Sequence, residues 1–167
     1  MQLQVTSASS PPDELPSIGE ALAPVLARLS PEQHPLLVAL AERMAAARYR
    51  VWADAANASH ASALRACAER ELDIATRVEA LYPDAAATQR GIRAAIPELD
   101  EINRTLFAGR SFAEQFVIQA RGERLGAATW RAFASREREP ARRAVLLACA
   151  VLEEENALAL ETILGGA

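Results

Sequence analysis

Residues 42–54 read ERMAAARYRVWAD and residues 123–135 read ERLGAATWRAFAS. Laid over one another, Glu42 meets Glu123, Arg43 meets Arg124, Tyr49 meets Trp130, Arg50 meets Arg131 and Trp52 meets Phe133. The match continues downstream, where LRACAERELDIATRVEAL (64–81) aligns with LLACAVLEEENALALETI (146–163). There Leu64, Cys67, Ala68, Glu71, Ala75 and Glu79 meet Leu146, Cys149, Ala150, Glu153, Ala157 and Glu161. The two stretches are out of step by one residue, which falls between them, where a turn tolerates a length change. A chain written twice in this way is constrained to two similar halves.

Each half reads as a pair of helices. Ser30-Pro31-Glu32-Gln33 is a helix start, with Ser at the cap, Pro in the first turn and Gln at the capping-box position. Regular helix is expected from about residue 35, delayed by Pro35, to about Ala56. Asn57-Ala58-Ser59 is a turn and cap, and a second helix runs from about His60 to Leu81, ahead of Pro83. Ser111-Phe112-Ala113-Glu114 is a capping box that opens a third helix, ending near Ser135. Pro140 opens a fourth, which stops before Gly165-Gly166. Residues 83–110 form a long, weakly patterned connection. A helix of about 24 residues is about 36 Å long, and the connection is long enough to travel that distance as a crossover. The expectation is an all-α four-helix bundle of two pseudo-repeated hairpins, about 35–82 and about 111–164, joined by the crossover 83–110. Residues 17–29 predict a short amphipathic helix interrupted by Pro24, and residues 1–16 a polar, loosely ordered tail.

Side chains three, four and seven apart share a helix face. Around Glu71 that face holds Leu64, Cys67, Ala68, Ile74, Ala75 and Val78, and around Glu153 it holds Leu146, Cys149, Ala150, Ala157 and Leu160. Glu123 sits among Phe116, Ala120, Ala127 and Trp130; Glu42 has mainly alanines with Val38 and Tyr49. Each of the four helices thus carries one glutamate on the stripe that should face the core. With turns centred near residues 57 and 138, each glutamate lies about equally far from its turn. All four carboxyls are therefore expected in one central layer. Burying them together is costly unless a cation, protons or arginines offset the charge.

Here the sequence resembles the ferritin-like, rubrerythrin-type superfamily over residues 35–164. Glu42 and Glu123 stand as the single glutamates of the first and third helices, and Glu71 and Glu153 as the glutamates of the Glu-x-x-His motif. The resemblance implies a di-metal site of iron or manganese that oxidises iron or handles oxygen and peroxide. It implies Glu42 and Glu123 as terminal ligands, Glu71 and Glu153 as bridging or capping ones, and a homodimer. The motif departs from the pattern: it reads Glu71-Leu72-Asp73-Ile74 and Glu153-Glu154-Glu155-Asn156, with no histidine. Asn156 is the only oxygen-bearing replacement, a candidate fifth ligand. The two histidines of the chain, His34 and His60, belong to helix ends. An all-oxygen site favours hard ions such as Mn2+, Fe3+, Mg2+ or Ca2+ over ferrous iron, and weakens or removes redox activity. The other reading is a metal-free helical module for structure or protein interaction.

The formal charge of −4 excludes the basic surplus of a nucleic-acid binder. No apolar run reaches the roughly 18 residues of a membrane span, and no signal peptide is expected. Cys67 and Cys149 lack metal-finger spacing and read as small core residues in a reducing, cytoplasmic setting. No catalytic residue and no small-molecule substrate is identified by the sequence.

Overall fold

The computed structural model describes residues 14–166, and these are helical, with no strand among them. In chain order the helices are α1 (Ile18–Leu26), α2 (His34–Ala55), α3 (Ala58–Glu79), α4 (Ala85–Ala95), α5 (Leu99–Phe107), α6 (Phe112–Arg136) and α7 (Pro140–Gly165). A 3-10 turn, Pro31–Gln33, leads into α2.

Local chemistry sets the boundaries. Ser30 and Gln33 form the expected capping box, with the Ser30 amide donating to the Gln33 side chain at 3.0 Å. Pro35 does not delay α2, because proline is tolerated in a first turn, where its missing N–H has no helical partner anyway. Asn57 caps α3 by accepting from the His60 amide, and Ser111 and Glu114 close the capping box of α6. Pro24 does not interrupt α1 but lies in its last turn. Of the tail expected over residues 1–16, residues 1–13 lie outside the described range. Leu15 departs from that expectation: it is buried in the same apolar cluster as Trp52, Leu106 and Phe107.

Two short turns fold the long helices back on themselves. α2 packs along α3 and α6 along α7, and α3 also packs on α7. Ion pairs record the antiparallel sense. Arg43 pairs with Glu79 while Arg50, further along α2, pairs with Glu69, earlier in α3. In the other hairpin Arg124 pairs with Glu161, and Arg131 with Glu154. Between hairpins, Trp52 bonds Gln115, Arg48 bonds Gln119 and Tyr49 bonds Glu123, so α2 and α6 also run antiparallel. It follows that α3 and α6 run the same way, and their connection must traverse the length of the helices. It does so beside α2. Gln89 of α4 donates to the Leu36 carbonyl near the start of α2, and Asn103 of α5 accepts from Arg48 near its end.

The core falls into blocks. One block holds Tyr49, Trp52, Leu64, Cys67, Phe116, Ile118, Leu160 and Ile163. A second holds Ala39, Ile74, Val78, Ala127, Trp130, Leu146 and Cys149. Each draws on all four long helices, and the glutamates lie between the two. A third block, with Leu36, Leu37, Leu40, Ile92 and Ile96, fastens the connection to α2. Ile92 is fully buried there. Ile92→Ala is expected to cost about 3 kcal/mol, the usual range for opening a cavity in a packed core. Urea unfolding checks this, and a loss under about 1 kcal/mol would mean the connection is not docked.

Candidate metal centre

The four glutamates meet as the repeat implied. Glu71, Glu123 and Glu153 are 0–1% exposed and Glu42 is 8% exposed. An oxygen from each of Glu42, Glu71 and Glu153 lies within 4.8 Å of the others. Glu123 is close enough to push up the pKa of both Glu71 and Glu153 by its charge.

Uncharged donors hold three of the four. Glu123 Oε1 accepts from the Tyr49 hydroxyl at 2.6 Å and from Gln119 Nε2 at 2.6 Å. Glu153 Oε1 accepts from the Trp130 indole at 2.8 Å. Glu71 Oε1 accepts from Asn156 Nδ2 at 2.7 Å. The other Glu71 oxygen, Oε2, is buried and has no hydrogen-bond partner among the described residues. Asn156, expected as a fifth ligand, instead turns its amide to Glu71 and its carbonyl oxygen to Arg70 at 3.0 Å. It positions Glu71 rather than offering an oxygen to the layer. Tyr49 and Trp130 are equivalent in the repeat, yet Tyr49 serves the glutamate of α6 and Trp130 that of α7. The two halves therefore match in sequence but not in hydrogen bonding.

Burial dominates the electrostatics. It pushes the Glu42 carboxyl up to about 7, with the nearby charge of Glu123 adding to the effect. Glu71 and Glu153 are raised well above the usual carboxylate range, first by burial and then by neighbouring carboxylates. Burial lowers the Arg48 guanidinium to about 10, which leaves it charged at neutral pH. Arg48 forms no ion pair with another described residue. It donates to Gln119 and Asn103 and lies 3.9 Å from the centre of the Phe107 ring. Arg43 and Arg124 pair with Glu79 and Glu161, leaving the layer itself. The Cys67 and Cys149 thiols are pushed up to about 12 by burial, which suits packing residues and not thiolate ligands.

This donor set fits a hard cation. Metal–oxygen distances of about 2.1–2.4 Å require ligand oxygens within about 4–5 Å of one another. The three nearest carboxyls meet that condition, and the partnerless Glu71 oxygen is the kind of buried acceptor that an ion would satisfy. His34 Nε2 donates to the Leu26 carbonyl at 3.0 Å and His60 lies in the first turn of α3, so no imidazole reaches the layer.

Several residues escaped the sequence reading. Gln119 lies one helical turn before Glu123 and links it to Arg48. Gly126 is the clearest omission. A Cβ there would stand 2.5 Å from Glu153 Oε1, so glycine makes the room for that carboxyl. Its signal was visible, since Gly122 and Gly126 interrupt a helix interior four residues apart, at a cost of about 1 kcal/mol each relative to alanine. Comparison of the chain with protein-family models, with curated proteins and with solved structures found no match.

Two expectations follow from the geometry. Gly126→Ala gains about 1 kcal/mol of helix propensity but displaces Glu153 from Trp130, leaving a buried indole N–H at a cost of about 1–3 kcal/mol. A net loss of about 1 kcal/mol, with a shifted tryptophan emission, is expected. The second concerns pH. The folded state holds protons on Glu42 that the unfolded chain releases from about 4.5, so the stabilisation is full below 4.5 and is lost as pH rises to about 7. For Glu42 alone the change is about 3 kcal/mol. Chelated protein should therefore melt at a lower temperature at pH 8 than at pH 5, and a flat or rising profile would contradict the buried layer.

Proposed function

We propose that this protein is a ferritin-like carboxylate metal protein whose four-glutamate layer binds a hard cation, manganese or iron. One observation carries the reading: Glu71 is fully buried, one of its oxygens has no hydrogen-bond partner among the described residues, and an oxygen of Glu71 lies within 4.8 Å of oxygens from Glu42 and Glu153. The arrangement of the helices supports it. Two antiparallel hairpins, with a connection running the length of α2, are what the sequence resemblance implies.

In this reading Glu42, Glu71, Glu123 and Glu153 hold the ion, and a bound iron or manganese supplies Lewis acidity and one-electron chemistry. The protein's own groups set the conditions. Asn156, itself held by Arg70, fixes the orientation of Glu71, and Trp130 fixes Glu153. Tyr49 and Gln119 hold Glu123. Apolar blocks lie above and below the carboxyls. The raised pKa values of Glu42, Glu71 and Glu153 mean that an ion displaces protons on binding, so affinity rises with pH. Without imidazole the site favours Mn2+ or Fe3+ over Fe2+ and has weak redox activity.

The test is ion loading of chelated protein followed by elemental analysis and thermal melting. At a free ion concentration of about 100 times Kd, binding adds about 2.7 kcal/mol, or roughly 5–10 °C for a domain of this size. Glu71→Gln should abolish both retention and the shift. A different observation favours the second reading, a metal-free module: neutral donors already hold three of the four carboxyls. If no ion is retained and Glu71→Gln raises the melting temperature, the layer is protonated and that reading stands.

A further inference from the structure

A cavity of about 250 Å³ opens beside the acid layer, between α1, α2, α5 and α6. Its walls are almost wholly apolar. Ile18, Leu22 and Leu26 of α1, spaced to share one helix face, line one side, and Met44 and Ile102 belong to the same lining. α1 is held down by close fit on α6, where a Cβ at Gly122 would stand 2.4 Å from the Ile18 side chain. The polar lining gathers around the layer, with Glu42, Glu123 and Glu153 beside a single basic group, Arg48.

These groups are not equivalent. Glu123 and Glu153 accept from Tyr49, Gln119 and Trp130, and Arg48 is engaged by Gln119 and Asn103. Glu42 is the exception. It is more than nine-tenths buried and lines the cavity, and no amide, hydroxyl, indole or guanidinium among the described residues donates a hydrogen bond to it. An apolar hollow with an acceptor of this kind at one end is complementary to a molecule with an apolar body and a donating, positively charged head.

Volume sets the size. A cavity of about 150 Å³ accommodates benzene, with six heavy atoms, so about 250 Å³ corresponds to roughly ten. We infer that this cavity is a binding site for an apolar primary amine, with its chain or ring against α1, α2 and α5 and its ammonium group on Glu42. A carboxylate head is disfavoured, since three carboxyls face it and Arg48 is already engaged. The inference goes beyond the metal reading and does not rest on it, because cavity and acceptor are present in the protein alone.

Calorimetric titration of the full chain in chelator, with octylamine, 1-octanol and octanoate, tests it. Octylamine should bind one per chain, at least tenfold tighter than octanol, with octanoate weaker still. Ala41→Phe, which fills the cavity, should weaken octylamine at least tenfold. Should that variant fail to fold, Glu42→Gln gives a second reading: it should weaken octylamine about tenfold and leave octanol within twofold. The inference is overturned by octanoate or octanol binding as tightly as octylamine, by unsaturable uptake, or by unchanged amine affinity in either variant. Because the titration runs without an ion, failed ion loading leaves this inference standing, and failed amine binding leaves the metal reading standing.

Discussion

Four carboxyls buried at one level are the constraint to which the other groups around the layer answer. They are more than nine-tenths buried, and like charges at close range repel, so each must be protonated, neutralised or tightly hydrogen-bonded. The surroundings supply all the neutral donors that fit: a phenol, an indole and two amides. Arg48, a half-buried guanidinium, stands behind Gln119, where it influences the layer without an ion pair to any described residue. Even so, one oxygen of Glu71 is left over. That leftover acceptor keeps the layer from being complete in itself.

Alanine and glycine around the layer serve the same constraint. Ala39, Ala45, Ala46, Ala68, Ala75, Ala127 and Ala150 are buried along the facing stripes, so the long helices approach closely and the carboxyls converge. Gly126 goes further by removing even the methyl group that would collide with Glu153. Bulk flanks the layer, in Trp52, Phe107 and Phe116 on one side and Trp130 and Phe133 on the other. Small residues admit the acids and large ones seal them.

Most of this architecture was legible in the sequence, because helix caps and repeats are written in local residues. Ser30, Asn57, Ser111 and Pro140 mark helix starts within a residue or two of where they occur. The glutamate layer was legible for a related reason: equal spacing from each turn places Glu42 opposite Glu71 and Glu123 opposite Glu153. What the sequence could not reveal depends on contacts between distant segments. Gln119 looks like any polar helix residue until Arg48, 71 positions away, bonds to it. Asn156 reads as an oxygen donor until Arg70 claims its carbonyl. The cavity requires α1 and α5 to be laid across α2 and α6, and no periodicity encodes that placement.

Long helices with alanine-rich seams have many near-equivalent ways to pack, since sliding one by a turn, about 5.4 Å, exchanges one small residue for another. The acid layer removes that freedom. A slip of one turn in either hairpin would move a carboxyl into the block containing Leu64 and Phe116, or into the block containing Ile74 and Leu146, where the donors of Tyr49, Trp52 and Trp130 are already engaged. Each such register buries an unpaired acid at a penalty of several kcal/mol. The four glutamates thus act as a gauge of alignment for the whole molecule, selecting one longitudinal setting of the helices whatever comes to occupy the space between them.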